Sequence, residues 1–138
     1  MISTDRLFEP CGNNKWQTTR DVEFNTRYGL VFIPEFTVTD LYSKVPNTGH
    51  PEFHLPPLLH DHVRNVRRPM GWSRRMTDIV FKDEMVLQSF RIYERLMASG
   101  VPRDKALNEL WSLLRRSDIY YRGVSGIIGT IYMLFTED

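Results

Sequence analysis

One long apolar stripe constrains the fold of this chain more than any other feature. Between Met76 and Leu96, apolar residues recur at the three- and four-residue spacing of a single helical face. Ser73 precedes the stripe as an N-cap, and Gly100 follows it as a residue that ends helices in a left-handed conformation. The pattern predicts a helix over about 74–98, against which the rest of a single domain can pack.

Further helices are expected on both sides of this one. Pro57 predicts a helix over about 57–66, because a first helical turn tolerates the missing N–H of proline. Proline and glycine within 67–71 should break that helix. Pro102 predicts the start of another helix in the same way, and the apolar tail 120–135 predicts a last one. The second part of the chain is therefore expected to form a bundle of about four helices.

The first third of the chain is rich in β-prone residues. Val22 and Phe24 alternate with polar neighbours, as a half-buried strand requires, and Gly29 supplies a turn before the pattern resumes. This predicts a β-hairpin or three short antiparallel strands. Residues 1–14 show little periodicity and are expected to form an irregular N-terminal arm, which leaves 15–138 as a single domain. Strands followed by helices indicate the α+β fold class.

Composition excludes several broad function classes. The net charge of +1 gives no overall attraction to nucleic acid or anionic membranes. No secretory signal pattern opens the chain, and the apolar run 127–135 is shorter than the roughly 20 residues of a membrane span. The single Cys11 cannot form an internal disulfide, which fits a reducing compartment. We therefore expect a soluble protein without a membrane span.

Two polar clusters are candidates for a functional site. His60 and Asp61 stand near the start of a predicted helix, Asp78 lies in the next helix, and Asp40 and Ser43 follow the strand pattern. Burying an imidazole or a carboxylate is costly without a partner, so we expect these groups to meet. Two interpretations remain open. The cluster either locks the fold, with loop groups capped by Asp40 and Ser43, or forms a metal or general acid–base centre.

Two narrower chemistries use parts of the same residues. Ser43, His60 and an aspartate satisfy the bare inventory of a nucleophilic triad, but no G-x-S-x-G elbow surrounds the serine. A zinc site would draw on the four histidines, which are His50, His54, His60 and His62. Pro51 and Pro56 disfavour a helix that would align the first two, and the last two project in different directions from a helix.

An arginine-rich segment is a candidate contact surface. It contains Arg64, Arg67, Arg68, Arg74 and Arg75, with Trp72 in the predicted loop between two helices. One interpretation is a solvated basic face balanced by acidic residues such as Glu84. The other is contact with a partner protein or, less strongly, with nucleic acid, because guanidinium groups bind carboxylates and phosphates in a bidentate manner. In that case Trp72 would stack on the partner. The remaining helical aromatics, Phe81, Phe90, Tyr93 and Trp111, are predicted to be core residues.

Four short motifs occur in an order that resembles a known family. They are Phe36-Thr37-Val38-Thr39-Asp40 with Ser43, then Leu59-His60-Asp61, then Asp78-Ile79-Val80-Phe81, then Gly100-Val101. In this order they resemble the phage- and prophage-encoded family of domains of unknown function numbered 1353, over about residues 30–116. The chain departs from the family pattern at Glu35, Arg64 and Pro46, which stand where the family has a glycine, a tyrosine and an earlier proline.

The resemblance implies a phage origin and carries no activity that transfers to this chain. It suggests a virion or virion-assembly protein of the tail, neck or ejection apparatus, located in the virion or the host cytoplasm. Such a protein would have other virion proteins as partners and no cofactor. The alternative hypothesis is a small hydrolase that uses Asp40, His60, Asp61 and Asp78, either with a divalent metal or with His60 as the base.

Overall fold

The chain forms its strands before its helices, which confirms the α+β fold class. A computed structural model describes residues 7–39 and 48–125. The strands are β1 (Phe8–Gly12), β2 (Lys15–Thr18), β3 (Val22–Thr26), β4 (Gly29–Ile33) and β5 (Val38–Thr39). A short 3₁₀-helix (Pro51–His54) then leads into α1 (Leu55–Met70), α2 (Arg74–Ala98) and α3 (Arg103–Ser125).

The five strands form two small antiparallel sheets, where the sequence predicts a hairpin or three strands. One sheet has the order β1-β2-β5, and β3 pairs with β4 in the other. The segment 1–14, predicted to be an irregular arm, therefore includes a strand. Asn13 and Asn14 have φ values of 54° and 58°. Two successive left-handed residues close a tight hairpin, so these asparagines mark a turn between strands rather than a loop.

The inner face of the β3–β4 hairpin forms part of the main hydrophobic core. Val22 lies opposite Ile33 and Phe24 lies opposite Val31, and all four side chains are buried. They belong to one apolar cluster with residues of α1 and the beginning of α2. The predicted turn is confirmed, with Gly29 at a φ of 122°.

Helix α2 begins and ends where the sequence predicts. The Ser73 hydroxyl accepts a hydrogen bond from the Met76 amide at 3.2 Å. At the other end Gly100 has a φ of 90°, and the Val101 amide donates to the Leu96 carbonyl at 3.0 Å. Both ends depend on local interactions between near neighbours in sequence, which is why they could be predicted.

Helix α1 is longer than predicted. It starts with prolines in its first turn, as expected, but continues through Pro69 and ends at Gly71, which has a φ of 74°. Pro69 has no amide to donate to the carbonyl four residues earlier, so it removes one hydrogen bond of the last turn without ending the helix. The break is therefore made by the left-handed glycine and not by the proline.

Helix α3 replaces two predicted helices. It is continuous to Ser125, so Tyr120 extends α3 instead of starting a fourth helix. The rest of that predicted helix, residues 126–135, lies outside the described residues. The described part of the chain thus contains three α-helices and not about four. No helix in this part is both long enough and apolar enough to cross a membrane.

Two aromatic residues predicted to be core residues are exposed. Phe90 is 45% exposed and Trp111 is 67% exposed, whereas Phe81 is fully buried. The predicted stripe assigns one buried face to the helix, but α2 packs against both α1 and α3. Its inner surface is therefore wider than one stripe, and Gln88 and Ser89 occupy part of it.

Candidate functional site

The histidine of the predicted cluster meets one carboxylate inside the fold. His60 of α1 and Asp78 of α2 approach to 2.9 Å between Nε2 and Oδ1. Their exposed fractions are 1% and 4%. The His60 ring also stacks on the Phe81 ring, with centroids 4.4 Å apart and an interplanar angle of 19°. The structure therefore brings together two of the residues predicted to form this cluster.

This closed geometry favours a fold lock over a reactive centre. A carboxylate that accepts a hydrogen bond from one ring nitrogen orients the imidazole and fixes its tautomer. The pair connects α1 to α2 at a depth where neither His60 nor Asp78 is open to a substrate. Removing one partner of such a pair leaves the other group uncompensated in a low-dielectric interior, which costs about 3–5 kcal/mol.

The remaining residues predicted for this cluster are Asp61, Asp40 and Ser43, of which only Asp61 lies in the described part of the chain. Asp61 is half-buried at the next position of α1, which is about 100° around the helix axis from His60. Asp40 and Ser43 lie outside the described residues, so their approach to the histidine and the triad that needs Ser43 stay predictions. Within the described residues, no group of three or more histidine, cysteine or acidic side chains could hold a metal ion.

His50 belongs to a network that connects the 3₁₀-helix to α2 and α3. The Arg95 guanidinium donates to Nδ1 of His50 at 2.9 Å, and Nε2 of His50 lies 3.3 Å from Oε1 of Glu109. Arg95 also binds Glu52, with 2.6 Å between Nε and Oε2. A guanidinium can only donate, so Nδ1 accepts and the ring proton is on Nε2, facing Glu109. Both nitrogens are engaged, so this ring offers none to a metal.

The remaining two histidines have separate surroundings. His54 packs edge-on against Phe8, with ring centroids 6.1 Å apart. His62 of α1 hydrogen-bonds to the backbone of Phe32 in β4. Burial lowers the pKa of both imidazoles below the ordinary value. The four histidines therefore do not converge into the zinc site considered from the sequence, as far as the described residues are concerned.

The arginine-rich segment lies at the junction of α1 and α2. Arg68 and Arg75 are exposed, while Arg64, Arg67 and Arg74 are half-buried. Trp72 is only 7% exposed and packs edge-on against Tyr28, with ring centroids 5.6 Å apart. The stacking role predicted for Trp72 is therefore wrong, because the hairpin already covers its ring. The contact role of the arginines stays a prediction.

Sequence reasoning missed an apolar surface on the outer side of the strands. Its members are Leu30, Phe32, Phe36 and Val38, with exposed fractions of 59%, 50%, 61% and 48%. We call these four residues the outer stripe. On β4, Leu30 and Phe32 alternate with the buried Val31 and Ile33, so these two point away from the core. Phe36 follows β4, and Val38 lies on β5 in the other sheet. A signal was present, because four consecutive apolar residues in a hairpin with one covered face must leave two of them exposed.

A hydrogen-bonded turn holds Phe36 in solvent. Its φ of 66° is left-handed, which costs a residue with a β-carbon about 1–2 kcal/mol. The buried Thr18 anchors this turn. Its carbonyl accepts from the Phe36 amide at 2.8 Å, and its hydroxyl donates to the Pro34 carbonyl at 3.0 Å. The Thr37 amide donates back to the Thr18 hydroxyl at 3.0 Å.

A cleft of about 710 Å³ separates β3 from α2. Residues 20–25 line it consecutively on the strand side, together with Phe32 of the outer stripe, and Glu84, Leu87 and Arg91 line it on the helix side. Glu84 is 6% exposed and accepts a hydrogen bond from the Gln88 amide at 2.7 Å. Burial raises the pKa of the Glu84 carboxyl above its ordinary value. Burial of Glu84 was not predicted, because its sequence position is compatible with a charge on the exposed side of α2.

Comparison with known proteins does not extend the argument. No family model, no curated protein and no solved structure matches the chain. The resemblance to the phage family numbered 1353 therefore stays a prediction, and function has to be argued from the geometry.

Proposed function

We propose that the chain is a small phage-encoded structural or assembly protein that acts through protein–protein contacts. The observation that carries this proposal is the outer stripe, in which four large apolar side chains face solvent. Leu30 and Phe32 share one face of β4, and exposed apolar side chains grouped in this way mark interaction sites on soluble proteins. Membership of a phage particle, in the tail, neck or ejection apparatus, is supported only by the motif resemblance.

The conformation of Phe36 supports a binding role for the stripe. Its left-handed backbone is unfavourable, and its ring is 61% exposed, so the ring adds little packing energy to the fold. Backbone strain of this kind concentrates at sites where function requires a side chain in a particular place. A partner that covers the Phe36 ring would supply the stabilisation that the isolated chain lacks.

The surroundings of the outer stripe indicate the chemistry of the partner. Glu23 lies opposite Phe32, and Gln17 lies opposite Val38. An apolar centre with a polar rim is the usual anatomy of a protein interface. Nucleic acid fits less well, because phosphate contacts need cationic side chains and this rim carries a glutamate. The partner is therefore another protein with a complementary apolar patch, such as a neighbouring virion component.

The hydrolase alternative has less support in the geometry. It assigns chemistry to His60 and Asp78, which are closed to solvent, and to Asp40, which lies outside the described residues. In the proposed function the His60–Asp78 pair stabilises the scaffold that presents the outer stripe.

Two substitutions at one position separate binding from folding. Phe36→Gly and Phe36→Ala both remove the ring, and each should reduce the amount of chain recovered with purified phage particles by about tenfold or more. Only glycine relieves the left-handed penalty. Phe36→Gly should therefore be more stable than Phe36→Ala by about 1 kcal/mol in chemical denaturation.

Trp111→Ala is the matched control, because Trp111 is an exposed aromatic residue on α3, outside the outer stripe. It should leave recovery with particles unchanged. Wild-type chain that is absent from purified particles would overturn the virion assignment. Undiminished recovery of both Phe36 variants would show that the outer stripe is not the contact surface.

A further inference from the structure

The two edges of the β3–β4 hairpin are covered differently. On the β4 side, helix α1 packs against the strand, with His62 next to the backbone of Phe32. The β3 side pairs with no other described strand and borders the cleft toward α2. An uncovered strand edge is a row of backbone donors and acceptors, which natural proteins usually blunt or cover. The hairpin could fold equally well with this edge covered, so folding does not explain why the edge is open.

The hairpin register determines which backbone groups the β3 edge presents. Thr26 and Gly29 flank the two-residue turn and form a hydrogen-bonded pair. Such pairs alternate along antiparallel strands, so the amides and carbonyls of Glu23 and Asn25 point away from β4. The backbone of Phe32, which lies opposite Glu23, is contacted from outside by α1, as this register requires.

One face of α2 forms the opposite wall of the cleft. Glu84, Leu87 and Arg91 follow one another at the spacing of neighbours on a helical face, and all three line the cleft. Leu87 is 42% exposed and offers apolar surface. Glu84 is buried and already bonded to Gln88, so Arg91 is the charged group that this wall presents to an occupant.

We infer that the cleft binds an extended peptide segment of a partner protein as an additional strand on β3. The backbone of the segment pairs with Glu23 and Asn25, which is the mode of binding known as strand addition. An apolar side chain of the segment contacts Leu87, and an acidic side chain pairs with Arg91. This inference rests on the β3 edge and on the cleft, and it does not depend on Phe36.

Amide exchange on the full chain tests the inference. The probe is a pool of short peptides with blocked ends that alternate valine with glutamate, and the matched pool alternates valine with lysine. The glutamate pool should slow hydrogen exchange at the Glu23 and Asn25 amides by about tenfold, measured by NMR. The lysine pool should give weaker protection, because lysine repels Arg91.

Two pairs of variants make the test specific. Asn25→Pro removes an outward amide without removing a ladder hydrogen bond, and it should abolish the protection at Glu23. Asn25→Ala keeps the amide and should retain the protection. Leu87→Glu should also abolish it, and Phe90→Glu, at an exposed apolar position of α2 that does not line the cleft, should not. If Asn25→Pro does not fold, the comparison of Leu87→Glu with Phe90→Glu is sufficient to test the inference.

The contrary outcomes are distinct. No protection by either pool, or protection that Leu87→Glu leaves intact, would overturn the inference. Protection that rises with protein concentration and needs no peptide would show that a second copy occupies the edge instead. Loss of peptide protection in Phe36→Gly would assign the peptide to the outer stripe. Normal protection in that variant, with reduced recovery from particles, would support both proposals separately.

Discussion

Hydrogen bonds serve opposite purposes in the His60–Asp78 pair and in the turn at Phe36 that Thr18 anchors. In the first, two polar groups that would be costly to bury satisfy each other between α1 and α2. In the second, a buried hydroxyl group holds a turn whose apolar ring is kept in water. In the first arrangement, loss of either partner would leave the other buried and uncompensated. The second accepts a backbone penalty at Phe36 that packing does not offset. The difference suggests that stability is concentrated between the helices and binding on the strands.

His60→Ala should give the largest loss of stability. It leaves the Asp78 carboxylate buried without its partner and removes the ring that stacks on Phe81. We expect the free energy of unfolding to fall by about 3–5 kcal/mol, measured by urea denaturation. Arg68→Ala, at an exposed position of the same helix, should change it by no more than about 0.5 kcal/mol. A His60→Ala variant that is as stable as this control would refute the lock and return attention to chemistry at the histidine.

Thr18→Ala should have an intermediate effect. It removes a buried hydroxyl that donates to Pro34 and accepts from Thr37. Leaving such groups without partners costs about 1–3 kcal/mol, again by urea denaturation. Thr26→Ala is the control, because the Thr26 hydroxyl bonds the Gly29 carbonyl at an exposed site. If Thr18→Ala cost as much as His60→Ala, the contrast drawn between the two regions would disappear.

Glu84→Gln should have the smallest effect, and one that depends on pH. Burial raises the pKa of the folded carboxyl above 4.5. As pH rises from 4.5 toward that higher pKa, the unfolded chain has lost its proton while the folded chain still holds one. Stability therefore falls across this window and levels off above it. The free energy of unfolding of Glu84→Gln should not fall in this way. Relative to wild type, the variant should therefore become more stable as the pH rises from acid to neutral.

The measurement for Glu84 is a series of urea denaturations at different pH values. Glu94→Gln, on the exposed side of the same helix, is the matched variant. Parallel stability profiles for wild type and Glu84→Gln would mean that the carboxyl is better solvated than its position indicates.

The elements that were predicted well are those with local signals. The N-cap at Ser73 and the glycine at 100 place both ends of α2, and Gly29 places the hairpin turn. The meeting of His60 with Asp78 was also anticipated, because the cost of burying either alone is a general property of the groups. The end of α1 is less local: the predicted helix stops at about residue 66, whereas α1 continues through Pro69 to the left-handed Gly71.

The features that were missed depend on tertiary packing. Nothing local distinguishes Trp72, which the hairpin covers, from Trp111, which stays exposed. The left-handed φ of Phe36 results from hydrogen bonds to Thr18, which lies in another strand. The open edge of β3 follows from the absence of a neighbouring described strand, and a single-chain pattern of alternation does not reveal which edge will be covered.

The corner at Gly71 has a consequence for how this chain can vary in length. Only Gly71, Trp72 and Ser73 separate the last residue of α1 from the first residue of α2. Each of the three has a separate structural part, because Gly71 ends α1 in a left-handed conformation, Trp72 is buried and Ser73 caps α2. A deletion at this corner would therefore disturb how α1 and α2 meet, and with it the approach of Asp78 to His60. The length of the connection matters as much as the identity of its residues.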